Sequence, residues 1–96
     1  MTVFNTPCQV SDRSIASATG AAQQAIGANP YRTFLMIQAP SAAAMTFSFT
    51  NPNVAAGAVG CFTLATGQIQ LFGPVVPNAP LYVIGTLGNV ISILEG

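Results

Sequence analysis

Ninety-six residues, 51% of them hydrophobic and only 4% charged, have the length of one domain but almost none of the roughly 25% charge of an ordinary soluble one. The four charged residues, Asp12, Arg13, Arg32 and Glu95, cancel. With no basic patch to neutralise phosphate, the chain is expected to bind neither nucleic acid nor an anionic membrane surface.

In chain order, Met1–Val10 alternates loosely around Pro7, so a strand there would lie at an edge or begin at the proline. Ser11-Asp12-Arg13-Ser14 predicts a polar break, with Asp12 suited to a turn or a helix cap. Ile15–Gly27 is rich in Ala, Ser and Gly, has only two large apolar residues and is interrupted by Gly20. It is expected to be loose, with a strand at Gln23–Ile26. Asn29-Pro30 marks a turn.

Two strands follow, at 33–38 and 44–50. In the first, Phe34, Leu35, Met36 and Ile37 are apolar on both faces, as in a strand covered on two sides. In the second, Met45, Phe47 and Phe49 alternate with Thr46, Ser48 and Thr50, the period of a half-buried strand. The threonine side is expected to lie nearer solvent. Small residues and two glycines make 51–60 a flexible, exposed loop in this reading. Cys61–Ala65 predicts a short strand, and Thr66-Gly67 turns into Gln68–Phe72, where Ile69 and Leu71 alternate with Gln68 and Gln70.

Gly73-Pro74 closes that strand, and 75–80 stays extended and irregular. Leu81–Gly85 and Asn89–Leu94 are expected as a final pair around Thr86-Leu87-Gly88-Asn89, a hairpin-like turn with glycine at a special backbone position. Seven to eight short strands, with turn signals every 8–12 residues, predict an all-β fold: a β-sandwich or a jelly-roll-like barrel. A single β domain is expected over 1–96, with 1–28 as a looser N-terminal arm.

No apolar run approaches the length of a membrane-spanning helix. The N-terminus lacks the basic start and apolar core of a secretory signal, so a reducing cytoplasm is expected as the place of folding. Cys8 and Cys61 could pair. In that compartment the expectation is instead two thiols packed as small apolar groups.

The residue types that carry chemistry are scarce. There is no histidine, hence neither the commonest general base nor the commonest metal ligand. Two cysteines without histidine do not make a four-ligand zinc site, and without lysine there is no Schiff base and no P-loop. Asp12 and Glu95, the two carboxylates, would have to meet from opposite ends of the chain to serve glycoside hydrolysis. No catalytic, cofactor-binding or metal residue is assigned, and no enzyme is expected.

Arg32 has two readings: a guanidinium at a partner interface, or a local anchor at a strand's start that binds loop carbonyls or pairs with Glu95. The anchor is favoured. Tyr31 and Tyr82 could stack on a sugar ring but sit beside apolar strand residues, where tyrosines serve at core edges and interfaces.

The segment Ala28-Asn29-Pro30-Tyr31-Arg32-Thr33-Phe34-Leu35-Met36-Ile37-Gln38, the later Leu81-Tyr82-Val83-Ile84-Gly85-Thr86 and the terminal Val90-Ile91-Ser92-Ile93-Leu94-Glu95-Gly96 resemble small tailed-bacteriophage virion proteins. The resemblance covers about the last two-thirds of the chain and departs after Gln38, where Ala39-Pro40 stands in place of a polar Asn. It implies a β-sandwich on the virion exterior, assembled in the host cytoplasm, such as a capsid decoration protein that cements the assembled head. The partners it implies are the major capsid protein or another virion protein, with trimers or dimers of the chain itself. A receptor- or glycan-binding module of a head or tail fibre is the alternative, and a tail or connector subunit is a third.

Overall fold

The computed structural model describes residues 10–16, 21–73, 75–86 and 88–96. Expectations for Met1–Gln9, and for Leu87 in the last turn, lie outside the described residues. Those described form nine short strands and no helix: β1 (Ser11–Asp12), β2 (Ile15–Ala16), β3 (Gln23–Ile26), β4 (Leu35–Gln38), β5 (Met45–Ser48), β6 (Phe62–Leu64), β7 (Ile69–Phe72), β8 (Leu81–Ile84) and β9 (Val90–Glu95).

β1 and β2 are one strand interrupted. Both pair antiparallel with β9 in a single register, Ser11 opposite Glu95 and Ile15 opposite Ile91. At the interruption the Asp12 carboxylate accepts the Ser14 N–H at 2.9 Å, which bends the chain as an Asx turn does. The Ser14 hydroxyl then accepts the Ile93 N–H at 3.1 Å, in place of a ladder carbonyl. The polar break of the sequence is thus a kink within an edge strand.

With β1 and β2 counted together, two antiparallel four-strand sheets result. The first runs β1/β2–β9–β4–β7 and the second β3–β8–β5–β6. Four of the pairings nest around the 49–61 loop: β5 with β6, β4 with β7, β3 with β8, and β1/β2 with β9. Apart from the step from β1 to β2, only β5 and β6 are neighbours both in sequence and in a sheet. Every other connection carries the chain from one sheet to the other.

The sheets meet across an apolar core. Leu35 and Ile37 of β4 and Ile91 and Ile93 of β9 face Ile26, Met45, Phe47, Leu64, Leu81 and Val83 of the second sheet, all buried. Alternation sends these residues inward and leaves Met36, Gln38, Val90, Ser92 and Leu94 on the far side. At about 1.5–3 kcal/mol per fully buried large aliphatic side chain, this layer is the main favourable term in the fold.

Three expectations are corrected. The Thr46 and Ser48 side of β5 is buried, at 4% and 0% exposure. β5 is an inner strand, Thr46 Oγ1 pairs with Thr63 Oγ1 at 3.0 Å across to β6, and Ala55 and Ala56 lie beside Thr46 and Thr63 on that face. The 51–60 loop is accordingly more than an exposed tether. Its Val54 is buried, and Ser48 Oγ fixes its ends by donating to Gly60 O at 2.8 Å and accepting the Thr50 and Asn51 N–H groups at 3.1 and 3.0 Å. Gly60 holds φ near +75°, and a Cβ there would sit 2.9 Å from Thr50 Oγ1, so this corner needs glycine.

The third correction concerns the last two strands. The Thr86–Asn89 turn closes with Asn89 N–H on Thr86 O at 3.1 Å and has Gly88 at positive φ, but it does not make a hairpin. β8 lies in the second sheet and β9 in the first.

Candidate interaction surface

Arg32 enters β4 from the Asn29–Arg32 turn, which closes with Arg32 N–H on Asn29 O at 3.2 Å. Its side chain is buried. Nε donates to Glu95 Oε2 at 2.7 Å, Nη2 to Gly27 O at 3.0 Å, and Nη1 to Ala79 O at 3.1 Å and to Pro77 O. One guanidinium therefore ties the exit of β3, the approach to β8 and the end of β9. The anchor reading of the sequence holds, with both proposed partner types present at once.

Arg13, half-exposed, reaches the other Glu95 oxygen at 3.5 Å. Asp12 is held below the ordinary aspartate range by the Ser14 hydroxyl first and the Ser14 backbone N–H second. All four charges are thus gathered at Glu95 and the neighbouring β1. No group of three or more His, Cys, Asp or Glu that could hold a metal occurs among the described residues.

The tyrosines are not brought together with this cluster's chemistry. Tyr31 stands 87% exposed in its turn, its N–H on Asn29 Oδ1 at 3.0 Å. Tyr82 is half-buried on β8, opposite Gln24 and Ser48. Cys61 is a half-buried free thiol beside Asn51 and Val59 O, while Cys8 lies outside the described residues.

Two apolar features remain. The first is the outward face of the β1/β2–β9–β4–β7 sheet. The expectation that 33–38 is covered on both faces is met by this chain on one side only. Register places Asp12, Leu94, Met36 and Leu71 in one row across the four strands, with Ser92, Gln38 and Ile69 in the next. Leu71 and Ile69 are 57% and 52% exposed, and Val90 adds 51% at the near end of β9. Apart from Asp12 at one edge, that face presents apolar or neutral side chains. Exposed apolar side chains gathered on one sheet face make it a candidate interaction surface.

The second feature is a cleft of about 410 Å³ on the side where edge strands β6 and β7 leave the sandwich open, with Phe47, Phe49, Phe62 and Phe72 along it and Gln68 and Gln70 at its polar side. The rings pack edge-on or tilted, Phe49 to Phe72 at 5.4 Å, Phe47 to Phe62 at 5.8 Å and Phe47 to Phe72 at 6.3 Å. These are favourable aromatic geometries. Phe62 remains 60% exposed. The alternation in Gln68–Phe72 was visible in the sequence. That its aliphatic side points outward and its glutamine side lines the cleft was not.

Compared with protein-family models, curated proteins and solved structures, the chain matches none.

Proposed function

We propose that this chain is a non-enzymatic structural subunit of a virion, a decoration protein that binds the assembled head and cements it. The observation that carries the reading is the outward Leu94–Met36–Leu71 row with Ile69 and Val90 beside it. Such a surface gains by being covered, and the chain has almost no charge with which to recognise anything except by shape, apolar contact and neutral hydrogen bonds.

The finer fold reading belongs with this proposal. We read the sandwich as a jelly roll. In support, its eight strands, counted with β1 and β2 as one, pair first with last, second with seventh, third with sixth and fourth with fifth, which is a long hairpin rolled into two sheets. Jelly rolls serve in capsids and in lectins, and the fold is compatible with the role. The resemblance of the Asn29–Gln38 and Val90–Gly96 segments to small phage virion proteins is a separate support. The partners are then a shell protein and further copies of this chain, and the place of action is the particle.

Mass action is the mechanism. Copies that bind the closed shell and not its free subunits stabilise the shell by the logarithm of their concentration over the dissociation constant. The test is co-sedimentation with assembled heads and with unassembled shell protein. Binding to heads alone, lost in Met36→Lys, is expected. Equal binding to both, or heads whose electron-microscopy density lacks this chain, overturns the reading.

Tyr31 favours a second reading, a glycan-binding module of a fibre. It is the exposed aromatic such a site requires, with Asn29 in the same turn. A glycan array giving signal with the native chain and none with Tyr31→Ala would decide for it.

A further inference from the structure

The four sheet edges are not alike. β1/β2 is interrupted and carries Asp12 and Arg13, β3 shifts register between Gln24 and Ile26, and β6 is three residues long. Interruption, charge, irregularity and shortness are the devices that stop edges from pairing with other chains. β7 has none of them. Its four residues pair with β4 in unbroken register, include neither proline nor charge, and expose Ile69 and Leu71.

Its hydrogen-bonding side can be read off. Phe34 and Gly96 exchange N–H and C=O bonds, both at 3.0 Å, so the even-numbered residues of β4 address β9 and the odd-numbered ones address β7. Ala39 N–H on Gln68 O at 2.9 Å agrees. Gln70 and Phe72 therefore spend their main-chain groups on β4, and those of Ile69 and Leu71 point to the open side. There, among the described residues, the Leu71 carbonyl receives only a long 3.4 Å contact from Gln70 Nε2.

We propose that β7 pairs antiparallel with β7 of a second copy about a two-fold axis at Gln70, joining two four-strand sheets into one of eight. In that register Ile69 and Leu71 of one copy exchange main-chain bonds with Leu71 and Ile69 of the other. Their side chains then meet as apolar cross-strand neighbours on the outward face. The two Gln70 residues form the close, non-hydrogen-bonded pair, where a neutral amide meets its own copy as donor and acceptor without repulsion. A second copy is the occupant because the strand is self-complementary in this way, every copy presents it, and two-fold pairing closes on itself. Charge agrees: none of the four charged residues lies on β6 or β7, and the chain is neutral, so nothing opposes approach. The pairing also brings the partner over the mouth of the phenylalanine cleft. It rests on edge geometry and stands whether or not the chain belongs to a virion.

The test is the association state of the purified chain by sedimentation velocity from micromolar to millimolar concentration. Dimer is expected for the native chain and for Leu94→Lys, which lies two strands away on the same outward face. Monomer is expected for Leu71→Pro, which removes only an N–H directed to the open side, and for Leu71→Lys should the proline variant fail to fold. In a Cys8→Ser, Cys61→Ser background, Gln70→Cys is expected to give a dimer linked by a disulfide on mild oxidation, since facing residues of a non-hydrogen-bonded pair lie within disulfide reach. A native chain that stays monomeric throughout, a dimer that survives both Leu71 variants, or one dissolved by Leu94→Lys overturns the proposal.

Discussion

Arg32 spends every guanidinium nitrogen on a partner, and its place among four acceptors explains why a chain so poor in charge keeps this one inside. Without Arg32, Glu95 keeps only the 3.5 Å contact to half-exposed Arg13 and three carbonyls lose their donor, and breaking a buried pair of this kind costs about 3–5 kcal/mol. Arg32→Ala is therefore expected to lower the unfolding free energy by about that much in urea titrations. Arg32→Lys should recover only part of the loss, because an ammonium has no planar fork to reach Glu95 and three carbonyls together. Asp12 makes the opposite kind of contribution, exposed and small. Its folded carboxyl is held below the ordinary aspartate range by Ser14, so the stabilisation is present above the unfolded value and is lost as pH falls through the folded one. Acid titration of stability should show that loss in the native chain, and Asp12→Asn should remove this component of the slope while leaving the fold intact.

Among the elements, β5 shows best what a sequence can and cannot announce. Its period of two and its position were legible, though the strand runs Met45–Ser48 and not the full 44–50, as were the positions of β3, β4, β6, β7, β8 and β9, because alternation and turn residues are local signals. Which side of β5 meets water was not legible, because the cover comes from the 51–60 loop and from β6, both reached only through tertiary structure. Sheet membership failed for the same reason. The turns at 65–68 and 86–89 have matching local chemistry, each with an i to i+3 bond and a glycine at positive φ. Turn chemistry of that kind suits a hairpin, yet both turns lead to the opposite sheet. The outward apolar row and the phenylalanine cleft depend on register between distant strands, so no single stretch of sequence contains them. Ser48 gives the element-scale prediction. Ser48→Ala strips partners from Gly60 O and from the Thr50 and Asn51 N–H groups, and should cost about 1–3 kcal/mol. Amide exchange across 50–61 should accelerate well before the rest of the sandwich is affected.

At the scale of the whole molecule, charge segregation becomes a statement about how the protein associates. Arg32 and Glu95 neutralise each other inside, which leaves Asp12 and Arg13 as the charged side chains directed to solvent, adjacent in sequence and opposite in sign. Beyond a Debye length of about 10 Å at 0.1 M salt, such a molecule presents no net field, so neither its encounters nor its contacts draw on charge. Association, with a shell through the outward face or with another copy through the β7 edge, is thus governed by apolar burial and main-chain pairing. The expected outcome is a dissociation constant unchanged within twofold from about 50 mM to about 500 mM sodium chloride, and tightened by sulfate, which strengthens apolar burial. Isothermal titration against heads, or sedimentation of the chain alone, measures it. A constant that weakens severalfold across that range would mean that Asp12 and Arg13 carry the contact, and would move the interface to the β1 edge, from the Leu94–Met36–Leu71 row for a shell or from β7 for a second copy.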